Sequence, residues 1–230
     1  MIGVFIVVAV LWHFDWSPMK AAYGIGTSIT NLFESEQTIS TSQEANAADL
    51  SQIDYLDKVR QLDFDETPST SQITTMYQSG IPIEYLERLD EIGYLGELNY
   101  SSIIALYSNG VTTDYINGLE EVGYLDEVNY SGIIGLYSSG VTVNYIHHLE
   151  EIDYLDEVNY SGIIGLYTSG VSESCLSTLN DIDYLHEVNY SGIIGMYTSG
   201  VSEDFLRELD QRDILNDLSY SEIIQLSNQN

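Results

Sequence analysis

Apolar residues recur along residues 51–230 at spacings of three and four, the mark of one helical face, and these blocks return every 30 residues. Asn129 to Val158 reads NYSGIIGLYSSGVTVNYIHHLEEIDYLDEV, and Asn159 to Val188 reads NYSGIIGLYTSGVSESCLSTLNDIDYLHEV. The register extends back through Asn99 to Val128 and forward through Asn189 to Leu218. Ser51 to Phe64 matches the second half of a unit and Ser219 to Ser227 the first half, so six periods follow one another without insertion.

Each unit predicts two helices. In the first, Tyr130, Ile133, Ile134 and Tyr137 share a face, Asn129 is the N-cap, and Val128 is placed to staple onto Ile133. Asn99, Asn159 and Asn189 are the same cap in other copies, while Ser69 with Gln72 and Ser219 with Glu222 read as capping boxes. Gly140 closes the helix in a left-handed conformation that costs glycine nothing, as do Gly80, Gly110, Gly170 and Gly200, and Val141 packs back onto Leu136. Thr142 caps the second helix, with Thr112, Ser172 and Ser202 as counterparts and Pro82 in one copy. Tyr145, Ile146, Leu149 and Ile152 give it a buried stripe. Asp153, in the place of Gly93 and Gly123, ends it, and Tyr154 to Val158 forms a connector.

Helices of about ten residues reach about 15 Å and are marginal alone. The fold expected is therefore all-α, with tandem two-helix repeats stacked as an α-solenoid or compact helical array and sharing one core. Gly132 and Gly135 are assigned to the solvent side, and Glu222 and Gln225 take their place in a polar last copy.

Before the repeats, MIGVFIVVAVLW is an uninterrupted apolar run followed by Trp16 and Lys20. A helix to Trp16 reaches about 24 Å against a hydrocarbon core of about 30 Å. With Trp12 and Trp16 as interfacial anchors, residues 1–33 are expected to be an apolar membrane anchor and juxtamembrane helix. A signal sequence or a buried helix remain as alternatives, and the side of the membrane is undetermined. The polar stretch 34–49 reads as a flexible linker, and residues 50–230 as the helical repeat domain.

Charge narrows the function. Thirty-six Asp and Glu against six Lys and Arg give a net charge of −30, which excludes nucleic acid, because that requires clustered cations. Three contexts fit such acidity: a saline habitat that screens self-repulsion, a basic partner, or hard cations held by carboxylates, though no loop has calcium-site spacing. The single Cys175 permits no internal disulfide, and its position in a tyrosine slot marks it as a small buried replacement.

Catalytic motifs are not evident. His186-Glu187 begins a zinc-peptidase pattern, but the second His would fall at Tyr190, and Gly24-Ile-Gly26 lacks the rest of a nucleotide fingerprint. His147 and Glu151 lie one turn apart, too few ligands for a metal. No enzyme activity, cofactor, metal or small-molecule substrate is expected. N-Y-S at Asn99, Asn129, Asn159 and Asn189 is a glycosylation sequon, but the capping role explains the same asparagines. Eighteen of the 19 tyrosines lie in the array; the set of Tyr137 belongs with the core, and that of Tyr130 lies nearer an edge.

The pattern G-V-T-x-x-Y-I-x-x-L-x-x-x-G-Y, then x-x-x-I-I-x-L, is carried by Gly110, Val111, Thr112, Tyr115, Ile116, Leu119, Gly123, Tyr124, Val128, Asn129, Ile133, Ile134 and Leu136. It resembles a bacterial helical repeat found in the C-terminal parts of antibiotic-sensor-type membrane metallopeptidases and related membrane-tethered proteins. It departs from that pattern at Gly132 and Gly135, where charged residues are usual, and in lacking a Pro after the Thr cap. The resemblance implies a membrane-associated interaction module and carries over no catalytic residue.

Core slots hardly change between copies, whereas outward slots of the second helix do. These are Asp114, Asn144, Ser174 and Asp204; then Asn117, His147, Ser177 and Arg207; and His148 beside them. In repeat arrays such positions set the ligand, which makes them the expected partner-binding residues, with drift on a solvated face as the bland reading. The function expected is a non-catalytic, membrane-tethered repeat module for protein–protein interaction. The alternative is an acidic structural or self-associating spacer.

Overall fold

The capping chemistry forms as the residues dictate. Asn129, Asn159 and Asn189 accept through Oδ1 the backbone N–H of Gly132, Gly162 and Gly192 at 2.9, 3.0 and 2.9 Å, and Asn99 accepts those of Ser101 and Ser102. Ser69 and Ser219 close reciprocal capping boxes with Gln72 and Glu222. Thr112, Thr142, Ser172 and Ser202 cap the second helices, while Pro82 provides no side-chain cap. At the far end Gly140 has φ of +76°, its N–H donates to the Tyr137 carbonyl at 3.0 Å, and Val141 N–H reaches back to Leu136 at 3.1 Å. This is the Schellman close expected at Gly110, Gly140, Gly170 and Gly200.

The computed structural model describes residues 50–229, and their twelve helices with no strand make an all-α array of tandem two-helix repeats. One row contains α1 (Gln52–Val59), α3 (Ile83–Ile92), α5 (Thr113–Glu121), α7 (Val143–Glu151), α9 (Glu173–Asp181) and α11 (Glu203–Gln211). The other contains α2 (Thr70–Gln78), α4 (Tyr100–Ser108), α6 (Tyr130–Ser138), α8 (Tyr160–Thr168), α10 (Tyr190–Thr198) and α12 (Tyr220–Ser227). Helices of the even row pack on their successors, as α3 does on α5 and α9 on α11 in the odd row. Connectors wind into single 3-10 turns, as at Leu95–Glu97, Leu155–Glu157, Leu185–Glu187 and Leu215–Asp217. The anchor and linker expected within residues 1–49 lie outside the described residues.

The core runs unbroken between the rows. In one unit Ile133, Leu136, Ile146 and Leu149 are fully buried, joined by Val141, Leu155 and Val158. Each such side chain contributes about 1.5–3 kcal/mol on burial, which no nine-residue helix obtains alone.

One local expectation is corrected. Gly132 and Gly135 do not face solvent. A Cβ on Gly132 would sit 2.5 Å from Val128 Cγ2 and 3.1 Å from the Tyr160 ring, and one on Gly135 would sit 3.3 Å from Ile164 Cδ1. The glycines therefore form the seam on which the next even-row helix rests, and Val128 lies over Gly132. On α12 the same positions are the exposed Glu222 and Gln225. The second helices end in the left-handed turn expected at Asp153: Gly93 and Gly123 have φ of +86° and +74°, and Asp153, Asp183 and Asp213 take φ of +55°, +53° and +58°. For a residue with a Cβ that conformation is strained, and Asp tolerates it better than most.

Candidate functional site

Stacking sorts the charge. Asn99–Thr112, Asn129–Thr142, Asn159–Ser172 and Asn189–Ser202, which hold the even-row helices, contain no charged residue at all. From α3 to the last connector every acidic residue lies on the odd row or on the connectors. The array thus has a neutral row and, along its other row and connector edge, a continuous acidic surface that concentrates counter-cations.

The expected partner-binding residues divide into two groups. Asp114, Asn144, His147, Ser174 and Asp204 are exposed on the odd row. Asn117, His148, Ser177 and Arg207 are half-buried, and three of these are tied to neighbouring repeats. His148 Nε2 lies 3.1 Å from both Ser177 Oγ and the Glu173 carbonyl of α9. Arg207 donates to Thr178 Oγ1 at 3.2 Å and to Asp181 at 3.3 Å, while the buried Thr178 hydroxyl donates to Glu203 at 2.9 Å. Asn117 bonds Glu121 of its own helix at 2.7 Å. A Cβ on Gly118 would meet Val143 of α7 at 2.8 Å. Variation at these slots therefore follows the neighbouring helix, a cause that periodicity alone does not reveal.

Tyrosines pin the rows together. Tyr85, Tyr115 and Tyr145 donate their hydroxyls to the carbonyls of Val111, Val141 and Val171 in the next repeat, at 3.1, 3.1 and 3.2 Å. Each ring also meets Tyr107, Tyr137 or Tyr167 edge to face, at centroid distances of 5.2, 5.1 and 5.1 Å. Tyr107, Tyr137 and Tyr167 are thus half-buried against the core, while Tyr197, whose partner slot holds Cys175, is exposed. Cys175 fills the next slot, is buried, and has its thiol pushed up to about 11 by that burial and then by Glu203, so its reactive thiolate is disfavoured.

The connector edge has features of another kind. Between successive connectors lie open grooves, of about 510 Å³ at Tyr124, Glu127 and Tyr160 and about 250 Å³ at Tyr184, Glu187 and Tyr220. A related one of about 230 Å³ lies at Glu97 and Tyr100. Tyr124 and Tyr184 at the back of the first two are deeply buried, as are Tyr94 and Tyr154 at the same place in their repeats; Tyr94, Tyr124 and Tyr154 are pushed up to about 12, by burial first and then by Glu97, Glu127 and Glu157. Tyr184 donates to the Leu218 carbonyl at 3.3 Å, whereas Tyr124 lines its groove with no hydrogen bond from its hydroxyl among the described residues.

No protein-family model, curated protein or solved structure matches the chain. Among the described residues no three His, Cys, Asp or Glu converge to hold a metal, and no helix is long and apolar enough to cross a membrane. The groove residues were missed by reading variable positions. Their signal was the reverse: Glu97, Glu127, Glu157, Glu187 and Asp217 stay acidic in five successive copies, after Thr67 in the first, although all are exposed, so no core demands them.

Proposed function

We propose that the array is a non-catalytic binding module for another protein, held near a membrane by residues 1–33. The observation that carries this reading is the sorting of charge into one continuous acidic surface on a rigid repeat scaffold. Acidity needed only for solubility would have no reason to leave the even-row helices α2 to α10 uncharged, with Glu222 of the last helix the one exception. The apolar run at residues 1–12 supports the tether, and the resemblance of the G-V-T repeat to those of membrane-tethered proteins accords with it.

The test uses the full-length chain, crosslinked in native membranes and captured beside a variant carrying Asp114→Lys, Asn144→Lys, Ser174→Lys and Asp204→Lys. These side chains are exposed and make only surface contacts, Asp114 with Arg88 at 3.8 Å and Ser174 with Glu203 at 3.2 Å, so the variant should melt close to the parent. A stoichiometric partner lost from the variant is the expected result. Recovery of only the chain itself from both would favour the acidic spacer.

A further inference from the structure

The connector grooves carry a more specific inference, which rests on the binding-module reading. The groove between Tyr124 and Tyr160 combines an aromatic ring, the Glu127 and Glu157 carboxylates and the largely buried Tyr124 side chain, whose hydroxyl makes no hydrogen bond among the described residues and reaches solvent in the groove. Tyr124 is only 5% exposed, and that exposed fraction opens into the groove. One repeat further on, the chain supplies its own occupant. His186, which stands where other copies have Asp156 and Asn216, places Nδ1 2.8 Å from Glu157 Oε1 and its ring edge-on to Tyr154 at 6.2 Å. A group with N–H donors and a flat or cationic face is thus what a carboxylate and a tyrosine ring accept at this place.

We infer that the connector edge is a ladder of cation-accepting slots that binds an extended basic segment of a partner protein, one Arg or Lys side chain per groove. Stacked helices lie roughly 8–10 Å apart, so adjacent slots have about that spacing. A polyproline-like chain rises about 3.1 Å per residue and returns the same face every third residue, about 9.3 Å on. The matching partner therefore has a basic residue at every third position, or about six residues apart if it uses only the grooves of Tyr124 and Tyr184. Arg suits the site better than Lys, because its guanidinium can stack on tyrosine while donating to the carboxylate.

The test is fluorescence anisotropy with a labelled peptide of five Arg-Pro-Ser triplets and the full-length protein in detergent, at physiological salt. Two charge-matched variants separate the slots from the general acidic field. One carries Glu127→Gln, Glu157→Gln and Glu187→Gln; the other carries Glu120→Gln, Glu150→Gln and Asp210→Asn on the odd-row helices. The groove variant should bind about tenfold more weakly, and the other should stay within about twofold of the parent. His186→Asn, which copies Asn216, should tighten binding about threefold by freeing Glu157. Equal weakening in both triple variants, or no saturable binding by the parent, overturns the inference. A partner captured from membranes but indifferent to the groove triple would also overturn it, while leaving the binding-module reading intact.

Discussion

Cys175 offers a direct test of how the repeats hold together. Cys175→Tyr should restore the inter-repeat pin that Tyr85, Tyr115 and Tyr145 make and this copy lacks. The added ring would meet Tyr197 edge to face, and its hydroxyl would reach the Val201 carbonyl. Enlarging a well-filled core site costs about 1–3 kcal/mol, so the sign depends on whether the slot is open. It is: Val201 is 9% exposed where Val111, Val141 and Val171 are each 2%, and Tyr197 reaches 37% exposure. Without the ring, Val201 and Tyr197 are more open to solvent than their counterparts. An aromatic pair contributes about 0.5–1.5 kcal/mol and a hydrogen bond a similar amount, which gives a gain of about 1–3 kcal/mol. Thermal unfolding followed by circular dichroism should rise about 2–4 °C per kcal/mol, and hydrogen exchange should locate the added protection in α10 and α11. The reverse change, Tyr145→Phe, should cost about 1 kcal/mol by leaving the Val171 carbonyl without its donor. No gain from the first together with no loss from the second would refute the pin.

Five other outcomes follow from the stacking and the charge. Gly135→Ala should stabilise by up to about 1 kcal/mol, since the flexible Ile164 Cδ1 at 3.3 Å can yield and helix propensity improves, and Ala105 already stands at that place in α4. Gly132→Ala should destabilise by about 1–2 kcal/mol because Val128 and the Tyr160 ring are both too close, and urea titration of the two variants would show the opposite signs. Asp153→Gly should raise stability by about 1 kcal/mol by relieving positive φ, read from the same titration; an unchanged midpoint would mean that Asp has no strain there. Tyr94, Tyr124 and Tyr154 are held up to about 12 in the fold against about 10 unfolded, so the folded state keeps protons that the unfolded state releases. Their contribution is complete below about pH 10 and is lost as pH climbs towards 12, and tyrosinate absorbance from this set should appear together with the loss of helicity. Finally, salt between about 0.05 and 1 M should raise the melting temperature by screening the acidic surface, and a flat response would remove self-repulsion as a factor.

Much of the fold is local, and for that reason the sequence by itself determined it. Asn129, Gly140 and Thr142 place helix ends through hydrogen bonds that span only three to five residues, so reading them requires no knowledge of the neighbours. The spacing of Ile133, Leu136, Ile146 and Leu149 likewise names the core face. What it does not name is the flank of a helix, because a stack of two rows covers each interior helix on its core face and on both sides. Gly132, Gly118, His148 and Arg207 look outward when only the core face is known, and only the stacked structure shows that Tyr160, Val143, Ser177 and Thr178 lie against them. The grooves are tertiary in the same sense. Glu127 and Tyr160 are 33 positions apart and meet only because each repeat advances by one helix spacing. The period was legible, but the direction and closeness of the stack come from glycine seams and tyrosine pins, which act between repeats and leave no mark within one.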